Sequence, residues 1–268
     1  MSDFPEQGDL TYVTSDVHLG AVPEATERAF HAWLEWAAGR AGRIVLNGDL
    51  FDFWFEYGSV IPRGHTRTLG LLARIVDAEI PVHLVGGNHD WWFGSFLGDE
   101  IGLTLHHEPV ILDLSGHRSF VAHGDGLGKG DTLYRLLRRV LRARPARWGF
   151  RWLHPDLGAF LARAASSTHE RHDREAGPHP DRASELERWA RAQLLADETL
   201  DAILLGHTHA PSRCEVAPGR FYLNSGDWLR HNSFLVLAPE RSPLLATWDA
   251  GEPRVIAPLE AGAGRPRA

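Results

Sequence analysis

One cysteine, Cys214, stands in a chain of 268 residues. An internal disulfide is therefore excluded, and the chain suits a reducing compartment. A lone cysteine at this position reads as inert. Long apolar runs are missing too: nothing approaches the roughly 18 consecutive apolar residues of a membrane span, so the chain reads as soluble or peripheral. The first residues, MSDFPEQGDL, hold neither a basic stretch nor an apolar one, and no secretory signal is expected. Positive charge is in deficit. Lys and Arg total 28 against 35 Asp and Glu, for a net charge of −7, which argues against a general attraction to nucleic acid and leaves only a local basic patch open.

What is present is ordinary for a globular protein, at 43% hydrophobic and 24% charged residues. The length suits one α/β domain, about residues 1–260, with an insertion; the Gly-rich end, 261–268, is expected to be a flexible tail. No internal repeat stands out. Histidine is abundant, with 16 copies, and their placement decides whether they are ligands.

Short apolar runs recur, each ending in glycine or a polar cluster. LTYVT leads into Ser15-Asp16-Val17-His18, RIVLN into Gly48-Asp49, and PVHLV into Gly86-Gly87-Asn88-His89-Asp90. SFVA leads into His123-Gly124-Asp125, AILL into Gly206-His207-Thr208-His209, and FYLN into Ser225-Gly226-Asp227. Such runs predict strands buried on both faces. Between them, Phe30, Trp33, Leu34 and Ala37 recur at helical spacing, as do Leu69, Leu72, Ile75 and Val76. The alternation predicts an α/β fold, and the strand-rich later part predicts two sheets flanked by helices. Every polar cluster lies beyond a strand's carboxyl end, where open α/β sheets bind ligands.

Residues 131–190 carry no strand pattern and are expected to form a helical cap over the site. Asp131 suits an N-cap, Leu133, Leu136, Leu137, Val140 and Leu141 share one helix face, and Arg135, Arg138, Arg139 and Arg142 lie largely opposite. Pro145 stops this helix; a polar loop and a further helix over 182–200 follow.

The strand-end side chains are Asp16, His18, Asp49, Asn88, His89, His123, His207 and His209. Imidazole and carboxylate donors suit Mn²⁺, Fe²⁺ or Zn²⁺. With no thiolate among them, a structural cysteine-type zinc site is disfavoured. Seven ligands serve two ions if one carboxylate bridges them, and two ions about 3.5–4 Å apart suit phosphoryl chemistry. Asp-x-His and His-x-His on extended backbone would each point two ligands one way. Glycines 48, 86, 87, 124 and 206 let the backbone turn tightly beside the ions.

The blocks SDVHLG, GDLFD, GNHD, HGD and GHTH, in this order from about residue 11 to residue 228, resemble the calcineurin-like metallophosphoesterases. The resemblance implies a four-layer α/β/β/α sandwich and a dinuclear metal site. Position by position, it implies Asp16, His18 and His209 at a first ion and Asn88, His123 and His207 at a second, with Asp49 bridging. His89 would contact the phosphoryl group and help protonate the leaving oxygen, and Asp90 would orient His89. His83, His106, His107, His117 and His154 have no such match and read as structural or surface residues. Asp227 reads as a turn residue.

FDFWFEYGSVIPRG, WLHPDLG and HGDGLGKGD resemble one subgroup, the UDP-2,3-diacylglucosamine hydrolases of lipid A synthesis. That resemblance implies an acylated UDP-sugar as substrate and hydrolysis of its pyrophosphate to UMP and a lipid monophosphate. It also implies a cytoplasmic enzyme, peripheral on the inner membrane, and Mn²⁺ as the ion. Asn88, His89 and His207 would touch the substrate, with Asp131 and Ser167 (or Ser166) at the cap. An apolar cap with seven arginines between Arg135 and Arg151 suits an acyl groove and an anionic membrane surface. The best-known members of the subgroup carry arginine where this chain has His89. A soluble phosphoesterase for nucleotides, other diesters or phosphoproteins therefore stays open, as does a metal-free scaffold on the same fold.

Overall fold

The computed structural model describes residues 9–128, 132–161 and 180–256. Twelve strands among these form two sheets. The first sheet runs β12 (Glu252–Val255), β11 (Leu244–Asp249), β10 (Ser233–Leu237), β1 (Thr11–Thr14), β2 (Arg43–Asn47), β3 (Val82–Val85), β4 (Thr104–His106). The second runs β5 (Val110–Leu114), β6 (His117–Val121), β7 (Ala202–Leu205), β9 (Arg220–Asn224), β8 (Ser212–Ala217). β1 to β4 are mutually parallel, and so are β6, β7 and β9. Parallel strands put their carboxyl ends on one edge, so the polar clusters after β1, β2, β3, β6, β7 and β9 gather there.

Side-chain alternation divides the core into three apolar layers. Val13, Val45 and Val85 face Val121, Leu204 and Leu223 between the sheets. Their neighbours Tyr12, Ile44, Leu46 and Leu84 point the other way, under helices α1 (Glu24–Ala38) and α2 (Thr66–Asp77). On the second sheet, Ile203, Leu205 and Tyr222 turn outward to Leu186, Ala190 and Leu194 of α7 (Pro180–Ala196). The result is the expected α/β/β/α sandwich. All four of Phe30, Trp33, Leu34 and Ala37 are buried, as their spacing predicted. Part of α7 falls inside the expected insertion, yet it forms the outer layer of the sandwich because three of its side chains fill the third apolar layer.

Helix α3 (Phe96–Asp99) precedes β4; α4 (Thr132–Arg142), α5 (Arg144–Arg151) and α6 (155–161) make up the described part of the cap. Pro145 falls in the first turn of α5, where its missing N–H costs nothing. Phe150 seats the cap on the core, with ring centroids 4.6 Å from Phe55 and 6.3 Å from Phe53. One feature reverses the usual amphipathic order: Leu136, Leu137, Val140 and Leu141 of α4 are exposed, while Arg138 and Arg142 turn inward onto the buried Asp125. Asp131, Ser166, Ser167 and the 261–268 tail lie outside the described residues. No helix among those described is long and apolar enough to cross a membrane.

Candidate metal centre

The backbone leaves extended geometry immediately after β1. Asp16 and His18 have φ of 54° and 52°, and Asp49, His207 and His209 join them at 52°, 66° and 54°. A left-handed conformation costs a non-glycine residue about 1–2 kcal/mol. Five expected ligands carry that strain, and hydrogen bonds hold it in place. Asp16 N donates to the Gly48 carbonyl at 3.0 Å, and Val17 N and His18 N donate to the Asp49 carbonyl at 2.9 and 3.0 Å. Asp16, His18, His207 and His209 are therefore not on extended backbone, contrary to the expectation from their spacing. The paired side chains converge because both members of each pair turn left-handed, not because strand side chains alternate.

They converge closely. The donor atoms of Asp16, His18 and His209 lie within 4.8 Å of one another, and the same holds for Asp16, Asp49 and His123 and for His18, Asp49 and His89. Asp49 Oδ2 is 3.2 Å from His123 Nε2, 3.9 Å from His18 Nε2 and 4.0 Å from His89 Nε2. Asn88 Oδ1 is 3.2 Å from His123 Nε2, and the His207 ring lies edge-on to His123 at 5.3 Å. All of the candidate metal-ligand positions read from the sequence thus gather in one cluster. His207 arrives through its ring contact rather than as part of a compact donor group.

Three of the imidazoles, those of His123, His89 and His209, are held by the far nitrogen, which fixes the atom turned to the centre. His123 Nδ1 donates to the Asn47 carbonyl at 3.0 Å, and His89 Nδ1 donates to the Asp52 carbonyl at 2.8 Å. His209 Nδ1 faces Asp227 Oδ2 at 3.3 Å. Asp90 plays a different part from the one expected of it. Its carboxylate accepts from the amides of Gly87 (2.9 Å), Asp49 (3.3 Å), Leu50 (2.7 Å) and Phe51 (3.4 Å), so it shapes the turn that carries Asp49. Asp52, with its carbonyl and with Oδ1 at 3.6 Å, is the direct partner of His89 Nδ1.

Burial makes this arrangement costly without cations. Asp16, His18, Asp49 and His123 are all buried, and Asp16 Oδ1 and both His18 ring nitrogens have no hydrogen-bond partner. A buried polar atom without a partner costs about 1–3 kcal/mol. Divalent cations would satisfy Asp16 Oδ1 and one nitrogen of His18, so the donor set fits the expected metals. The carboxylates also perturb the imidazoles around them. Burial opposes a charge on His209, but the Asp16 and Asp227 carboxylates prevail and hold it up at about 10. His123 is likewise raised against its burial by Asp49 and Asp16. His207 is pushed down to about 4 by burial and then by the neighbouring His123. Burial and the adjacent Asp49 raise Asp90 to about 6.

The calcineurin-like phosphoesterase family model matches residues 10–211. The chain belongs to the calcineurin-like phosphoesterases. As such it is a metal-dependent hydrolase, and its fold implies a dinuclear divalent metal site, for which the candidate ligands are those above. A UDP-2,3-diacylglucosamine hydrolase of Porphyromonas gingivalis is 35% identical over 246 residues, which cover 84% of this chain and 92% of that one. Enzymes of the same name from Bordetella pertussis and Aeromonas hydrophila are 31% and 27% identical, over 80% and 85% of this phosphoesterase and 81% and 95% of their own lengths.

Sequence reasoning missed two supporting carboxylates. Asp52 lies inside the quoted GDLFD block, three residues after Asp49, and that spacing was its only signal. Asp227 read as a turn former, and it is one: Oδ1 accepts from Arg230 N at 2.9 Å and His231 N at 3.1 Å. Its other oxygen, however, faces His209. Asp227→Asn is expected to weaken metal binding about 10- to 100-fold, because the charge that orients His209 is lost. Titrating metal-free protein with Mn²⁺ measures this; unchanged affinity would leave Asp227 with the turn alone.

Proposed function

We propose that this phosphoesterase hydrolyses the pyrophosphate bond of UDP-2,3-diacylglucosamine, giving UMP and 2,3-diacylglucosamine 1-phosphate, at the cytoplasmic face of the inner membrane. The names of its relatives support the reaction. The observation that carries the lipid part is the outer face of the cap. Among the described residues, nine of the thirteen large hydrophobic side chains left exposed lie between Leu136 and Leu161, with Trp152 at 76% exposure. Concentrated exposed apolar surface marks an interaction site. Acyl chains and a membrane surface are apolar ligands of that kind. Arg139, Arg144 and Arg151 are exposed beside it and suit anionic headgroups. Arg138 and Arg142 are engaged by Asp125, so the membrane contact proposed here is led by apolar groups rather than by the whole arginine set.

In this reading Asp16, His18 and His209 hold one ion, Asn88, His123 and His207 the other, and Asp49 bridges. Mn²⁺ is the proposed ion, in keeping with a set of imidazole, carboxylate and amide donors without thiolate. Bound there, two such ions supply an activated water and positive charge for the phosphoryl oxygens. His89 donates the proton that the leaving oxygen needs. The Asp52 carbonyl holds its Nδ1, so Nε2 is the atom turned to the cluster. Asn88, His89 and His207 contact the reacting phosphate, and Asp131 and Ser167 contact the sugar and cap side of the substrate.

The test is UMP release from UDP-2,3-diacylglucosamine with added Mn²⁺, beside hydrolysis of bis-p-nitrophenyl phosphate. A strong preference for the lipid is expected, together with flotation of the protein with anionic liposomes. Turnover of the generic diester alone, without flotation, would return the enzyme to soluble nucleotide, diester or phosphoprotein substrates.

A further inference from the structure

An amphipathic helix left to itself lays its apolar face on the core. In α4 one carboxylate reverses this. Asp125 is 5% exposed, and its Oδ2 accepts from Tyr134 Oη at 3.2 Å, Arg138 Nη1 at 2.9 Å and Arg142 Nη2 at 3.2 Å. Arg138 Nη1 also donates to the Asp125 carbonyl at 2.6 Å. The three donors stand four residues apart, so they form one row along the helix. Arg142 goes further: its guanidinium lies 4.5 Å from the centre of the Trp91 ring and donates to the Gly87 carbonyl at 3.3 Å. Asp125 follows His123 by two positions, and Gly87 immediately precedes Asn88. The loops that carry two candidate metal ligands thus also hold the cap.

We propose that Asp125 is a positioning residue that fixes the rotation of α4 about its own axis. The Tyr134–Arg138–Arg142 row is drawn inward, and the Leu136, Leu137, Val140 and Leu141 face is thereby presented outward to an acylated substrate. Asp125 so acts on substrate selectivity and not on the chemical step. The substrate part rests on the lipid reading above; the rotation does not.

The experiment compares wild type, Asp125→Asn, Asp125→Glu and Arg138→Gln as full-length, Mn²⁺-loaded enzymes. Backbone hydrogen exchange over 134–142 is expected to speed up about tenfold or more in Asp125→Asn and in Arg138→Gln, because buried ionic partners are lost. The KM for UDP-2,3-diacylglucosamine should rise about tenfold in both, while Arg138→Gln turns over bis-p-nitrophenyl phosphate within about twofold of wild type. Asp125→Glu, which keeps the charge, should recover part of the KM. Unchanged exchange in α4 would overturn the proposal. So would an equal loss on both substrates together with loss of Mn²⁺, because Asp125 would then serve the His123 loop and not the cap. If wild type released no UMP, the lipid reading would fail, and the exchange measurement would still decide the rotation.

Discussion

Asp49→Asn is expected to lower diester hydrolysis at least about a thousandfold, equivalent to roughly 4 kcal/mol of transition-state stabilisation. Most of the tightly bound metal should go with it. Asparagine keeps the shape of the side chain and the bond that Asp49 Oδ1 accepts from His89 N at 2.9 Å. What changes is the other oxygen. Asp49 Oδ2 faces the Nε2 atoms of His18, His89 and His123, and Asp49 belongs to two of the three compact donor groups. An amide nitrogen there carries no negative charge and aims hydrogens at the place where a cation would sit. Elemental analysis beside the generic diester assay measures both effects. Wild-type metal content with wild-type activity would remove Asp49 from the centre.

Gly87→Ala should be damaging as well, although glycine has no chemistry to lose. A Cβ at Gly87 would run into the Asp49 carboxylate, lying 2.5 Å from Asp49 N and 2.8 Å from its Cγ. Neither the backbone nor the Asp49 carboxylate can move aside without disturbing the donor cluster. Gly87 N is also tied to Asp90 Oδ1 at 2.9 Å, which holds the same turn from beneath. Overpacking of this kind costs about 1–3 kcal/mol, or several degrees in Tm for a domain of this size. Mn²⁺ affinity should fall at least about tenfold as Asp49 is displaced. Thermal melts with and without Mn²⁺ distinguish the two contributions. An alanine variant with unchanged melting and unchanged metal response would mean that the loop has room that the described geometry denies it.

The candidate donor residues were legible in the chain because each follows a short apolar run of the kind that a buried strand makes. Parallel pairing then carries those strand ends to one edge, so type and position together nearly suffice. The helix over Glu24–Ala38 was legible for a similar reason: its four core positions repeat at the helical period and all of them are buried. β8 was not legible. It is an edge strand whose residues are nearly all half-exposed, and such a strand shows neither alternation nor an apolar run.

Other features depend on contacts between residues far apart in sequence. The convergence of Asp16 with His18 was expected from strand geometry, but it comes from left-handed backbone held by carbonyls of the Gly48–Asp49 turn. Asp90 was assigned to its sequence neighbour His89, but four amides from two loops claim its carboxylate. The cap shows the division most clearly. The repeat of leucine and arginine in α4 established an amphipathic helix and left its rotation open. Hydrophobic burial alone would have turned the leucines inward. A buried carboxylate from the end of β6 turns the arginines inward instead, because a charge taken out of water must find its partners, and two guanidiniums and a phenol lie in one row to meet it.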